Sequence, residues 1–214
     1  MNRKYLPLLA AVTLLLLLTG AKCVVVATSG GGSSDKDKDP PPDTVIITSD
    51  GVFIDAPVEG LRYASGALTG TTGPRGEFRY EEGNTVQFSI GAIALGAATP
   101  GKPVITPLDL VENGTLDNPA VINIARLLQS LDAVPDDAAI TLPAGATGPA
   151  MRASESLAPA IGHLDFHDET NFVNTASQVV ATLTADYPFS AMLVDAASAR
   201  RHLAESLAAA GIPH

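Results

Sequence analysis

The chain has 214 residues, 46% of them hydrophobic but only 5% aromatic, with no Trp, a single Cys and a formal net charge of −10. That length holds one domain, or two small ones, around a core drawn mostly from Ala, Val and Leu. So acidic a surface repels phosphate backbones and anionic headgroups, which argues against nucleic acid as a partner and favours cations or basic groups.

Residues 1–23 read MNRKYLPLLAAVTLLLLLTGAKC. Arg3 and Lys4 make a basic start, Leu6–Leu18 an apolar stretch of signal-peptide length, and Thr19, Gly20 and Ala21 a small-residue region suited to cleavage. An exported chain is expected. The apolar run is short for a spanning helix, although Val24–Ala27 could extend it past Lys22 into an uncleaved anchor. Cys23 is the only cysteine, so no intrachain disulfide can form. A lone Cys directly after the apolar stretch resembles the lipid-attachment cysteine of bacterial lipoproteins. That resemblance implies lipid on Cys23 and contact with the membrane through the N-terminus only. Gly20 and Lys22 depart from that family's pattern, which has Leu or a similar residue three before the Cys and a small residue just before it. Cleavage after Ala21, or after Ala27, competes with lipidation, and the second would discard Cys23. The expected location is the cell envelope, periplasm or outer membrane, with secretion if Cys23 carries no lipid.

Composition then shifts abruptly. TSGGGSSDKDKDPPPD, residues 28–43, pairs a flexible Gly/Ser half with alternating Asp and Lys and a stiff Pro40–Pro42 end. Residues 24–43 are read as a flexible linker, and 28–43 as disordered and without core-forming capacity. Its sixteen-residue polar part reaches at most ~55 Å and suits a tether that holds a domain off a surface.

From residue 44 the hydrophobic period becomes two. VIIT runs into Asp50-Gly51, a turn signal, and then Leu61 and Tyr63 alternate with Arg62. EFRYEE sets Phe78 and Tyr80 opposite Glu77 and Arg79, and TVQFSI sets Val86, Phe88 and Ile90 opposite Gln87 and Ser89. Ile93 and Leu95 follow. Gly70, Gly73, Gly76, Gly83 and Gly91 could suggest a phosphate cradle, but they are not gathered in one loop between a strand and a helix. They read instead as punctuation: a turn at Gly73–Gly76, and a hairpin loop at Gly83-Asn84 joining the two aromatic strands.

From residue 117 the period is helical. Asp117 or Asn118 caps a helix with Pro119 in its first turn and Val121, Ile124, Ala125, Leu128 and Leu131 along one face. A second helix, capped by Asp168 or Thr170, presents Phe172, Ala176, Val179, Val180 and Leu183. A third runs from Asp195 to Gly211 with Leu203 and Leu207 inward. One short helical turn is expected around Met151–Leu157. The fold class is α+β: an antiparallel, sandwich-like β-domain over 44–116 and a three-helix layer over 117–214 packed on it.

FIDAPVEGLRY, TGTTGPRGEFRYEEGNTVQFSIGAIALG, ITPLDLV and NIARLLQSLD, between Phe53 and Leu142, together resemble a recurrent module of bacterial envelope and lipoprotein-type exoproteins. TGTTGPRGEFRY alone is also similar to carboxypeptidase-regulatory, transthyretin-like β-sandwiches. Neither resemblance supplies an activity or catalytic residues.

HLDFHDE, residues 163–169, is the one cluster with the composition of a site. His163 and His167 stand four apart beside Asp165, Asp168 and Glu169, all metal-ligand types. Leu164 stands where a zinc-hydrolase helix needs Glu, and Asp168 has an alternative role as helix cap. His202, among Arg200, Arg201 and Glu205, reads as a surface ion-pairing residue. Glu81-Glu82 and Asp136-Asp137 read as exposed turn carboxylates, and no nucleophile elbow is present. The expectation is a non-enzymatic envelope protein without cofactor, serving interaction or assembly with an envelope protein or polysaccharide. A metal-assisted hydrolase using His163 and His167, or a periplasmic accessory of a transport system, is the alternative.

Overall fold

The computed structural model describes residues 23–26, 45–135, 137–143 and 164–214. The leader before Cys23, residues 27–44 and the turn expected around Met151–Leu157 lie outside the described residues. Among the described residues the fold is mixed α+β, with several sheets and three helices.

β2 (Val45–Phe53) organises the first sheet. β1 (Cys23–Val26) runs antiparallel along its first half, with Cys23 opposite Thr48 and Val26 opposite Val45. β10 (Val104–Ile105) runs parallel along its last residues. β6 (Glu77–Glu81) lies antiparallel along the other side, because Thr48 and Val52 each pair both ways. The second sheet has the order β5 (Leu68–Thr71), β4 (Arg62–Ser65), β7 (Thr85–Ile90), β8 (Ile93–Ala94), with β9 (Thr99–Pro100) also on β7. A small parallel pair joins β3 (Val58–Glu59) to β11 (Ile140–Thr141). Two expectations are thereby corrected, the wholly antiparallel sheet and the hairpin. β10 and β11 return from far along the chain and pair in parallel, as crossover connections allow. The aromatic strands β6 and β7 do not form the expected hairpin. The turn at Gly83 swings the chain from one sheet into the other, with the Asn84 N–H donating to the Glu81 carbonyl at 3.1 Å.

Asp50-Gly51, read as a turn, lies inside β2. Gly51 sits opposite Phe78, and a Cβ on it would stand 2.6 Å from the Phe78 ring and 2.8 Å from the Lys102 carbonyl. Glycine is there for close approach rather than reversal. The Gly73–Gly76 turn is as expected, closed by Gly76 N–H to Gly73 carbonyl at 2.8 Å. Gly76 has φ 76°, and a Cβ would meet the Phe53 carbonyl at 2.4 Å.

Phe53, Phe78 and Phe88 bring the two larger sheets into contact. Phe53–Phe88 centroids are 4.8 Å apart, and Tyr63 reaches Phe78 at 5.8 Å. Phe78, Tyr80, Val86, Phe88 and Ile90 are all buried, as their alternation predicts. A 3₁₀ turn, Pro107–Leu110, follows β10.

α1 (Pro119–Ser130) starts at Asn118, whose side chain accepts from the Ala120 N–H, and Pro119 occupies the position where its missing N–H costs nothing. α2 (Glu169–Leu183) is capped by Asp168 and α3 (Ala196–Ala209) by Asp195, each accepting a backbone N–H three residues on. Beyond α3, the Gly211 and Ile212 N–H groups close the helix end on Ala208 and Leu207. Every residue of the three apolar stripes is buried, so the helices share one core with the sheets.

Candidate functional site

Asp55 follows β2 at a tight reversal in which Ile54 and Pro57 bridge. Ala56, between them, has φ 63°. A residue with a Cβ pays roughly 1–2 kcal/mol for that conformation, and such strain persists where the surroundings over-determine a position. Here the reversal turns Asp55 inward to zero exposure. Gln129, in the last turn of α1, donates its amide to both carboxylate oxygens at 3.1 and 3.2 Å, and also approaches the Ala199 carbonyl at 3.3 Å.

His202, from α3, directs Nδ1 at Asp55 Oδ1 across 3.5 Å. That is too long for a well-formed N–H···O bond, so the contact is electrostatic. The Nδ1 atom is buried without a hydrogen-bond partner, although 44% of the side chain is exposed. Burial pushes the Asp55 carboxyl from 3.8 up to about 6, against the opposing pull of His202 and Gln129. Asp55 raises His202 above the usual 6.5 against partial burial, and Glu205 and Asp132 add to the rise. Both members of the pair therefore prefer to hold a proton.

A groove of about 520 Å³ opens beside this pair, lined among others by Ala56, Asp132, Asp137, Glu205 and Ser206. Asp132 accepts the Val134 and Thr141 N–H groups at 3.1 and 3.0 Å, and Asp137 accepts that of Ala139 at 2.8 Å. Those carboxylates shape the loop into β11 as well as charging the groove. The arrangement can hold, move or release a proton at His202.

The surface reading of His202 is corrected. Arg200 pairs with Asp117 and Arg201 leans on the Ser198 hydroxyl, while His202 turns inward to Asp55. Glu81 is likewise buried rather than exposed, accepting the Ala67 N–H and the Asn84 amide at 2.6 Å each. Asp136 lies outside the described residues.

His163 lies outside the described residues. His167 is exposed, and its N–H donates to Asp165 Oδ1 at 2.8 Å. Asp168 accepts the Asn171 N–H at 3.0 Å, and Glu169 takes Arg126 Nη1 at 2.9 Å and the Asn123 amide at 3.2 Å. The carboxylates around His167 thus serve turn, cap and ion pair. Among the described residues no group of three His, Cys, Asp or Glu is placed to hold a metal ion. His167 borders a second crevice of about 670 Å³, whose floor includes Leu110, Ile124 and Phe166. The Cys23 backbone belongs to β1.

Arg126 joins α1 to α2 and to the segment before α3. Its guanidinium donates to the Val194 carbonyl at 2.8 Å, Asn123 Oδ1 at 2.9 Å and Glu169, and lies 5.1 Å over the Phe172 ring. It stands on the helix that the sequence identified as amphipathic, but nothing local marks an Arg inside an apolar stripe as a buried joint.

Comparison with family models, with curated proteins and with solved structures finds no match.

Proposed function

We propose that this chain is an exported, non-enzymatic envelope protein, sandwich-like in its β-domain, which serves interaction or assembly. The observation that carries this reading is how its buried and half-buried polar groups are used. Arg126 ties α1 to α2 and to the segment before α3, Gln129 ties α1 to Asp55, and Lys102 pairs with Asp109 at 2.6 Å against the 3₁₀ turn. The Thr72 hydroxyl donates to the Val58 carbonyl at 2.6 Å, and the Ser130 hydroxyl accepts the Val194 N–H at 2.9 Å. Groups of the kind that do chemistry are spent on joints between elements, which suits a body that presents a fixed surface. The net charge of −10 favours a basic patch on an envelope protein, or a cation-bearing polysaccharide, as partner.

The leader pattern supports export, and the resemblance of Cys23 to a lipoprotein cysteine supports a lipid anchor there. Affinity capture of the full chain from envelope extracts, with intact mass of the membrane and soluble fractions, tests the reading. The expected result is a processed chain carrying diacylglyceryl-Cys23 and a co-purifying envelope component lost at high salt. An unprocessed Met1 chain in the soluble fraction, or stoichiometric metal with hydrolytic turnover, overturns it.

A further inference from the structure

We propose that Asp55 and His202 form a proton-operated latch that seats α3 against the β2–β3 reversal, and with it one wall of the acidic groove. The inference goes beyond the interaction role and does not depend on what the groove binds.

Three elements meet at the latch. The reversal supplies Asp55, fixed by the left-handed Ala56, and α1 supplies Gln129. α3 supplies His202 at 3.5 Å. Asp55 has no exposure, so once ionised its compensation must come from these two side chains. Gln129 offers only amide hydrogens, one of them within reach of the Ala199 carbonyl. His202 is the sole group among the described neighbours of Asp55 that can bring positive charge. Among the described residues the remaining charged groups facing the pair are acidic: Asp132 beyond the end of α1, Asp137 before β11 and Glu205 one turn on from His202. The basic residues of α3 look elsewhere, Arg200 to Asp117 and Arg201 to Ser198.

Loss of the His202 proton leaves an ionised Asp55 held by an amide alone, in an acidic surrounding. The cheapest relief is water, and water reaches Asp55 only if the α3 wall moves. His202 is raised above 6.5, so its contribution is complete below that value and is lost as pH rises through the higher folded value. Asp55, raised from 3.8 to about 6, acts in the same sense: protonated, it needs no partner. Mild acid seats α3, and mild alkali loosens it.

Hydrogen exchange of the full chain at about pH 6 and about pH 8.5, each referenced to an unstructured standard, reads the latch. Protection of α3 relative to α2 should fall on going to the higher pH, by about tenfold for each unit of pKa displacement. Asp55→Asn, which keeps shape and removes charge, should erase that fall. In the unmodified chain, the His202 imidazole ¹⁵N shifts should titrate with a midpoint above 6.5. A constant α3-to-α2 ratio in the unmodified chain, a fall that survives in Asp55→Asn, or a midpoint at or below 6.5 overturns the proposal.

Discussion

Phe78 meets Phe88 edge to face, with ring centroids 5.2 Å apart and planes at 89°, although their strands lie in different sheets. The contact is a core joint between sheets rather than a cross-strand pair. Edge-to-face geometry sets the positive ring edge of one residue on the negative face of the other and adds to what burial alone gives.

Phe88 is fully buried, so Phe88→Ala should cost roughly 3–5 kcal/mol. Gln87, its neighbour, donates to the Phe88 and Gly96 carbonyls at 3.0 and 3.4 Å from a half-buried position. Gln87→Ala should cost about 1 kcal/mol or less. Urea midpoints of the two variants check the contrast, and equal losses contradict the assigned faces of β7.

Arg126 combines a neutral carbonyl, an amide oxygen, a carboxylate and an aromatic face around one planar group. Lys offers no fork, so even Arg126→Lys should lose about 1–2 kcal/mol, and Arg126→Ala about 3–4. Glu169 is 59% exposed, and Glu169→Gln should change stability by less than about 1 kcal/mol. Thermal and urea unfolding should rank the losses with Arg126→Ala largest, Arg126→Lys next and Glu169→Gln smallest.

Ala56 offers a gain. Glycine adopts φ 63° without the Cβ clash, and the relief outweighs its greater freedom in the unfolded chain by up to about 1 kcal/mol. Ala56→Gly should leave the melting temperature unchanged or raise it. Ala56→Val, β-branched at the same angle, should lower stability by about 2 kcal/mol or more.

Stability should carry an unusual pH signature. Asp55 has a folded value of about 6 against 3.8 unfolded, so its stabilisation is complete below 3.8 and lost as pH rises through about 6. The loss amounts to roughly 2–3 kcal/mol for a fully buried group. Urea unfolding at a series of pH values should therefore show a smaller decline across that window in Asp55→Asn than in the unmodified chain. Ordinary carboxylates, stabilised when ionised, run the other way.

The helices were the most legible part of the chain. Caps at Asn118, Asp168 and Asp195, Pro119 in a first turn and stripes of 3.6 period are all local signals, and the structure follows each. Strand faces were legible for the same reason, since alternation alone buries Phe78 and Phe88. Partners were not. Gly51 carries the mark of a turn because sequence does not reveal a ring from another strand pressed against it. Gly83-Asn84 has the spacing of a hairpin, yet an arch between sheets needs the same residues. His167, Asp165, Asp168 and Glu169 read as metal ligands in sequence, but the carboxylates serve turn, cap and ion pair, while His202 and Asp137 read as surface groups. Asp55 and His202 stand on different elements, each beside more obvious partners, and only tertiary packing brings them within 3.5 Å.

Val26 lies opposite Val45 in the β1–β2 pair, and Cys23 opposite Thr48. The polar segment between the two strands therefore starts and ends side by side, and no longer lies between Cys23 and the sheet as a spacer. Acyl chains on Cys23 would grip the rim of the first sheet itself. On the proposed reading of Cys23 as a lipid anchor, the body would sit close against the bilayer rather than at the end of a long line.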